Sequence, residues 1–435
     1  MEFNVIETFS GIGAQAKALK NLENEIKYFE PHIRATVEWD IGAMYAYDII
    51  HHGPQKLEEY DSFTKEELIE RLKSFNLSSD GKNSLKSNSL KRMSLPQLQA
   101  ISHSIDKNKN LVDITRVKAS DLPDADLLTY SFPCQDLSIS SFWHGNISGI
   151  SKDAGNRSGL LWEIERILHE YVFEGKTLPR FLLMENVSAI HGRLHKENFD
   201  IWLSDLRSMG YTNEYFDLDA SNFGIPQSRV RTFMISVYTD DLSKEKISKI
   251  KNFFKNTSLR NQNKTPRIDD FLRLDYSKNE QYLLEAIKST PNDTPSRQKI
   301  RDGSRVLAEG QKPNNYIAKT ITTKQDRYPN AGIIFHERTD FGEKKSEYRN
   351  LTPRETFLLM GFQEDDFQRL VDNNIQITKS RTLLSNSKLL HLSGNSIVVN
   401  ILEEVFRELI KIKKLIDKPT KDLKIIENQF KLQKS

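Results

Sequence analysis

The sequence predicts an α/β fold: a doubly wound, mostly parallel sheet with a second, smaller domain. Three observations carry this. A short apolar strand pattern at Asn4–Phe9 (NVIETF) runs into the glycine loop SGIGAQ, and a helical pattern follows with Ala16, Leu19 and Leu22 on one face. Strand-like runs then alternate with helical patterns over residues 1–237. From about 238 to 388 that alternation stops, and the chain becomes polar and basic.

The elements follow in order. A second strand, IRATVEW, ends at Glu38 and Trp39. Residues 53–110 are rich in Lys, Ser and Asn and read as a surface insertion. It carries one amphipathic helix, TKEELIERLKSF, and a flexible portion. LVDI near Asp113 and ADLLTYSF leading into Cys134 read as two further strands. The helix SGLLWEIERILHEYVF precedes a buried strand, FLLMENV. WLSDLRSMG reads as a helix closed by a glycine, and the strand RTFMISV comes after it. A helical pattern returns in NSIVVNILEEVFRELI, and the Lys-rich tail beyond Lys411 reads as frayed.

Composition narrows the function classes. A chain of 435 residues exceeds what one core holds, so two domains are the default. A net charge of +3 permits nucleic-acid binding without demanding it. The single cysteine excludes an intrachain disulfide and any Cys-based zinc or iron–sulfur site. The start MEFNVIETFSGIG lacks a basic region followed by an apolar one, and no apolar run approaches the ~18 residues that span a bilayer, so a cytoplasmic protein is expected.

Six stretches carry chemistry. Glycines at 11 and 13 let the backbone approach a ligand at a helix N-terminus; Ala16 stands at the last glycine of the dinucleotide pattern, which favours an adenosyl group without phosphates. Glu38 and Asp113, each at a strand's carboxyl end, suit ribose hydroxyls and an adenine amino group, or are solvated loop carboxylates. Cys134 follows Pro133 at a strand's carboxyl end and opens a polar loop, a place for a nucleophile rather than for a core thiol. Glu185 ends FLLMEN on the same rim, where an apolar wall favours the protonated acid, although a loop-bridging glutamate fits the same stretch. Arg229 and Arg231, two apart in GIPQSRVRTFMI, point to one face and suit a carbonyl oxygen or phosphate, or are surface arginines of a strand.

Taken together and in order, FxGxG, PCQ, ENV, QxRxR and GNS at 394–396 resemble the cytosine-5 DNA methyltransferase family. The resemblance covers the chain except about 53–110, 238–315 and the tail. TYSFPCQDLS, RSGLLWEIER and LLMENV look most like its bacterial and mycoplasmal branch, which includes CpG-modifying enzymes; this does not fix the target site.

The resemblance implies a Rossmann-like methyltransferase domain formed by 1–237 plus 389–435, and a target-recognition domain at 238–388. Cys134 would be the nucleophile that adds to cytosine C6. Glu185 would contact N3 and the exocyclic amine, Arg229 would hold O2, and Arg231 would support the site. S-adenosylmethionine would lie across Phe9, Gly11, Ile12 and Gly13, with Glu38 on the ribose and Asp113 on the adenine. Trp39, Ile114 and Leu161 would wall the pocket, and Asn395 and Ser396 would complete it. No metal is implied. Double-stranded DNA is the implied partner, bound by a monomer with its target base flipped out. Contacts are expected from Gln135, Ser138, Gln227, Thr322, Lys324 and Arg327. Phe142 and Trp143 in the closing loop either wedge into the base stack or pack the loop. RNLTPRET at 349–356 resembles the family's scaffold block between the domains. The tRNA-modifying branch is disfavoured, because its CFT tripeptide is missing and a long recognition region is present. A silent regulator on the same fold is disfavoured by the intact Cys134, Glu185 and Arg229.

Overall fold

The computed structural model describes residues 1–86, 88–133, 137, 150, 157–264, 266–336, 342 and 344–418. A six-stranded sheet forms its centre: β1 (Glu2–Thr8), β2 (Glu30–Val37), β3 (Leu127–Tyr130), β4 (Phe181–Asn186), β5 (Tyr211–Asp219) and β6 (Val230–Tyr238), in the order β2-β1-β3-β4-β6-β5. β1 pairs in parallel with β2 and β3, and β3 with β4, whereas β6 runs antiparallel to both β4 and β5. Alternate side chains feed two cores, as a sheet covered on both faces requires. Phe3, Val5, Leu127, Phe181 and Leu183 enter one cluster, and Ile6, Leu128, Tyr130, Leu182 and Met184 enter the other. Each large apolar side chain buried this way contributes about 1.5–3 kcal/mol.

Helices α1 (Ala14–Glu25) and α13 (Val399–Asp417) pack together on the first face, so residues late in the chain help cover the sheet. Helix α5 (Leu161–Phe173) covers the second face through Leu161, Ile164, Ile167 and Leu168, and α6 (Lys196–Ser208) joins it through Phe199 and Trp202. Helix α13 continues to Asp417, past the point where a frayed tail is expected, because Leu409, Ile410, Ile412 and Ile416 keep an apolar stripe against the core.

Residues 53–110 differ from the expected surface insertion. They form two helices, α3 (Lys65–Lys73), with a Thr64–Glu67 capping box, and α4 (Leu95–Lys107). Leu68, Leu72, Leu98, Ile101 and Ile105 make a third core with Ile41 and Met44 of α2 (Ile41–His52). The expected strand at LVDI does not form: Asn110 makes one bridge to Thr36, and Val112 turns the chain at φ 66. Strand β5, unexpected from sequence because acidic and amide residues interrupt its apolar pattern, is the sheet's edge.

After β6 come α7 (Lys244–Lys255), α8 (Glu280–Ser289) and α9 (Pro295–Asp302). A four-stranded sheet follows, made of β7 (Val306–Glu309), β8 (Lys312–Pro313), β9 (Ile333–Phe335) and β10 (Tyr348–Asn350). Helices α10 (Pro353–Leu358) and α11 (Glu364–Asp372), the hairpin β11 (Gln376–Thr378) and β12 (Arg381–Thr382), and α12 (Asn386–Asn395) then lead back to α13. The first core runs without a break into this region through Leu307, Ile321, Leu351 and Leu359.

Candidate active site

Strand order reverses at β1: β2 lies on one side of it and β3 on the other. Open α/β sheets bind ligands at the carboxyl ends of the strands at such a switch point. A cavity of about 420 Å³ opens there. Phe9, Gly11, Ile12, Glu38, Trp39, Asp113 and Ile114 line it, and so do Asn395 and Ser396 from the end of α12.

Its floor is built from an unusual backbone. Phe9, Gly11 and Gly13 all have positive φ, at 54°, 55° and 77°. For phenylalanine that conformation is strained, and such strain persists where surrounding structure fixes it. Gly13 lies outside the lining. It caps α1 where a Cβ would stand 2.2 Å from Nε2 of His51, so only glycine lets the loop sit against α2. The loop is tied by Glu38, whose Oε2 accepts from Gly11 N at 3.0 Å and whose Oε1 accepts from Asp40 N at 2.8 Å. Burial pushes the Glu38 carboxyl up to about 7, and the nearby Asp40 charge adds to the rise. Leu161, the first residue of α5, is fully buried in the second core and does not line the cavity, and its neighbour Leu160, in the turn before the helix, supplies that wall.

The opposite wall holds Glu185, Asn186, Arg229, Arg231 and Pro133. Antiparallel pairing explains the grouping. β6 begins where β4 ends, with Glu185 opposite Phe233 and Asn186 opposite Thr232, so both arginines fall beside Glu185. The Arg231 Nε lies 3.4 Å from Glu185 Oε1. Burial raises the Glu185 carboxyl above its ordinary range, although Arg231 and Arg229 pull it down. Arg229 is buried and spends its guanidinium on backbone. Nη1 donates to Ile321 O at 2.9 Å, and Nη2 donates to Gly394 O at 3.1 Å and Ser396 O at 2.8 Å. The two arginines therefore differ from the expected division of labour: Arg231 faces Glu185, and Arg229 clamps three chain segments together.

Pro133 O accepts from Ser158 Oγ at 2.8 Å, and Phe132 O accepts from Asn186 Nδ2 at 3.0 Å. The next residue, Cys134, lies outside the described residues, as do Gln135, Ser138, Phe142 and Trp143. Gln227 requires a correction, because it is fully buried and not on a DNA-facing surface. Its Nε2 donates to Leu359 O at 2.8 Å and its Oε1 accepts from Ile321 N at 2.9 Å, which pins the 321 segment to the 359 turn. Thr322 packs its backbone against Gly394, where a Cβ would meet the Thr322 carbonyl carbon at 2.5 Å. Lys324 and Arg327 are exposed beyond it.

Several lining residues escape sequence reasoning. Asn76 and Gly81 reach the cavity from the 53–110 segment, and Asp40 and Val112 join them. Nothing in SFNLSSDGKNS distinguishes these positions from an ordinary polar loop.

Comparison with known proteins agrees with this geometry. The family model for C-5 cytosine-specific DNA methylase matches residues 94–411. The chain is 32% identical over 412 residues to the orphan methyltransferase M.SssI of Spiroplasma monobiae, covering 94% of this chain and 97% of that protein. It is also 32% identical over 412 residues to the type II methyltransferase M2.ScrFI of Lactococcus lactis subsp. cremoris, covering 94% and 99%. Among solved structures, the Dnmt2 methyltransferase of S. pombe shares the fold, with TM-score 0.54, 19% identity and coverage of 94% and 98%. Five ordered motifs, a cavity at the switch point and relatives matched along nearly their whole length converge: the chain belongs to the C-5 cytosine-specific DNA methylase family and is a DNA cytosine methyltransferase.

Proposed function

We propose that the protein transfers a methyl group from S-adenosylmethionine to C5 of a cytosine flipped out of duplex DNA, through a covalent bond between Cys134 and C6. The observation that supports this best is the single cavity joining Glu38 and Asp113 at one end to Glu185 and Arg231 at the other. The residues present fit an adenosyl group. Strained loop backbone, a carboxylate at the end of β2, and Asp113 beside Ile114 give polar acceptors against apolar walls. When bound, that cofactor supplies an electrophilic methyl at its sulfonium.

Cytosine C5 is a weak nucleophile until C6 is attacked. Addition of the Cys134 thiolate to C6 pushes electron density to C5, and protonation at N3 stabilises the adduct. Glu185 suits that proton, since its burial favours the acid form. Relative to the sequence expectation, O2 is assigned to Arg231, and Arg229 is a positioning residue. Loss of the C5 proton then expels Cys134. The recognition unit is assigned to 238–388, with Lys324 and Arg327 as phosphate or base contacts.

The test is incubation with labelled S-adenosylmethionine and either duplex DNA or tRNA. Label is expected on DNA alone; label on tRNA alone, or on neither, overturns the reading. Glu185→Gln should keep DNA affinity while lowering kcat by roughly 10²–10⁴-fold, read from single-turnover rates, because an amide holds the base but cannot deliver the proton. A second expected result concerns pH. The ribose hydroxyls need an ionised acceptor, and Glu38 is raised to about 7. Affinity for S-adenosylhomocysteine should therefore fall as pH is lowered through that value, by about ten-fold from pH 8 to 6 in calorimetry. Glu38→Gln should weaken binding and flatten that profile.

A further inference from the structure

Residues 76–84, which read from sequence as part of a flexible portion, form a strap along the cavity, lining it with Asn76 and Gly81. Ser78 N donates to Trp39 O at 2.8 Å and Ile41 N donates to Ser78 O at 2.9 Å, so the strap pairs with the segment that carries Glu38. Its tip is closed by Asp80, whose Oδ1 accepts from the backbone of Lys82 and Asn83, both at 2.8 Å. Lys388 of α12 fastens it from the far end of the chain. The ammonium sits 2.6 Å from both Asp40 carboxylate oxygens and donates to Ser79 O at 3.0 Å.

Asn76 begins this strap and lines the cavity beside Asp113. Its Nδ2 donates to Asp113 Oδ2 at 2.7 Å. The amide orientation follows from chemistry, since a carboxylate can only accept. The Asp113 Oδ1 is taken by Thr115, through its N at 3.0 Å and its Oγ1 at 2.8 Å. Among the described residues no hydrogen bond reaches Asn76 Oδ1; the Asp113 Oδ2 beside it takes one hydrogen bond, from Asn76, and has the mostly exposed Arg116 guanidinium 3.6 Å away.

We propose that Asn76 is a specificity-determining residue for the cofactor's purine, its Oδ1 joining Asp113 to form a two-acceptor site that reads a 6-amino group; this rests on the cavity being the S-adenosylmethionine site. A 6-oxo purine presents an oxygen at that place and meets two acceptors with no proton between them. Leaving buried polar groups unpaired is what makes such discrimination large. The strap supplies the precision, since Lys388 and the Ser78 pairing hold Asn76 against Asp113.

The test is calorimetric titration of the full-length protein with S-adenosylhomocysteine and its 6-oxo analogue S-inosylhomocysteine. Unaltered protein should strongly prefer the amino compound. Asn76→Ala should weaken that compound about ten-fold and change the 6-oxo analogue little, so the preference narrows by the same factor. Lys388→Met, which loosens the strap while leaving both acceptors in the chain, should weaken the amino compound and narrow the preference, by less than Asn76→Ala does. Equal weakening of both ligands by Asn76→Ala, or none, overturns the proposal and leaves the cofactor reading standing. If the unaltered protein binds neither nucleoside, the cofactor reading falls, and this one with it.

Discussion

Replacing Cys134 with alanine is expected to abolish methyl transfer to DNA, by roughly 10⁴-fold or more, while leaving S-adenosylhomocysteine affinity within about two-fold. The separation follows from where the neighbouring groups sit. Pro133, immediately before Cys134, lines the cavity on the Glu185 side and is tethered by Ser158 through its carbonyl at 2.8 Å. Glu38 and Asp113, the acceptors assigned to the adenosine, belong to other segments, held by Gly11, Asp40, Asn76 and Thr115. Losing the thiol would thus remove the proposed bond to C6 without disturbing those acceptors. Duplex DNA containing 5-fluorocytosine gives the sharper measurement. After addition at C6 and methylation at C5, elimination would require fluorine to leave without its electron pair, so the adduct is trapped. Unaltered protein should yield a covalent complex on a denaturing gel, and Cys134→Ala none. An adduct that persists in the variant would show that another side chain attacks C6.

Sequence and structure agree most closely where local pattern and chemistry coincide. The strand–loop–helix at 4–22, the helix at 161–173 and the acid at the end of FLLMEN are each set by local apolar pattern within about twenty residues. Disagreement arises where long-range pairing decides. Asn76 gains meaning only because Asp113, 37 residues on, accepts its amide. The division between Arg229 and Arg231 depends on β6 running antiparallel to β4 and on carbonyls at 321, 394 and 396, none of which a two-residue spacing encodes. Gln227 looks polar and available in QSRVR, yet the 359 turn and Ile321 use both ends of its amide. The low-complexity character of 78–94 hid a core, because five apolar residues at helical spacing in α3 and α4 flank it from outside.

The largest effect on stability should come from the block RNLTPRET. Arg349 and Glu355 are both fully buried and paired through two hydrogen bonds, at 2.7 Å and 2.8 Å. Glu355 also accepts from Thr352 N and from Arg273 N, each at 2.8 Å, while Arg349 Nε donates to the Tyr276 hydroxyl at 2.7 Å. Glu355→Ala would leave a guanidinium buried without its counter-charge and strip the N-terminus of α10 of its capping box. Breaking one side of such a pair costs about 3–5 kcal/mol, a large share of a typical folding free energy of about 5–15 kcal/mol. The expected measurement is a urea unfolding midpoint that falls accordingly, with poor soluble yield. Replacing both partners with apolar residues, as in Arg349→Met with Glu355→Leu, removes the unpaired charge and should recover much of the loss. The active site should respond with the fold, because Thr356 of the same helix binds Ser393 at 3.0 Å, one residue before the turn that Arg229 clamps. If Glu355→Ala left the midpoint unchanged, the pair would contribute nothing net to stability. The tie between the 349–364 block and the 273–285 segment would then have to be carried by Arg354 with Glu285 and Glu364.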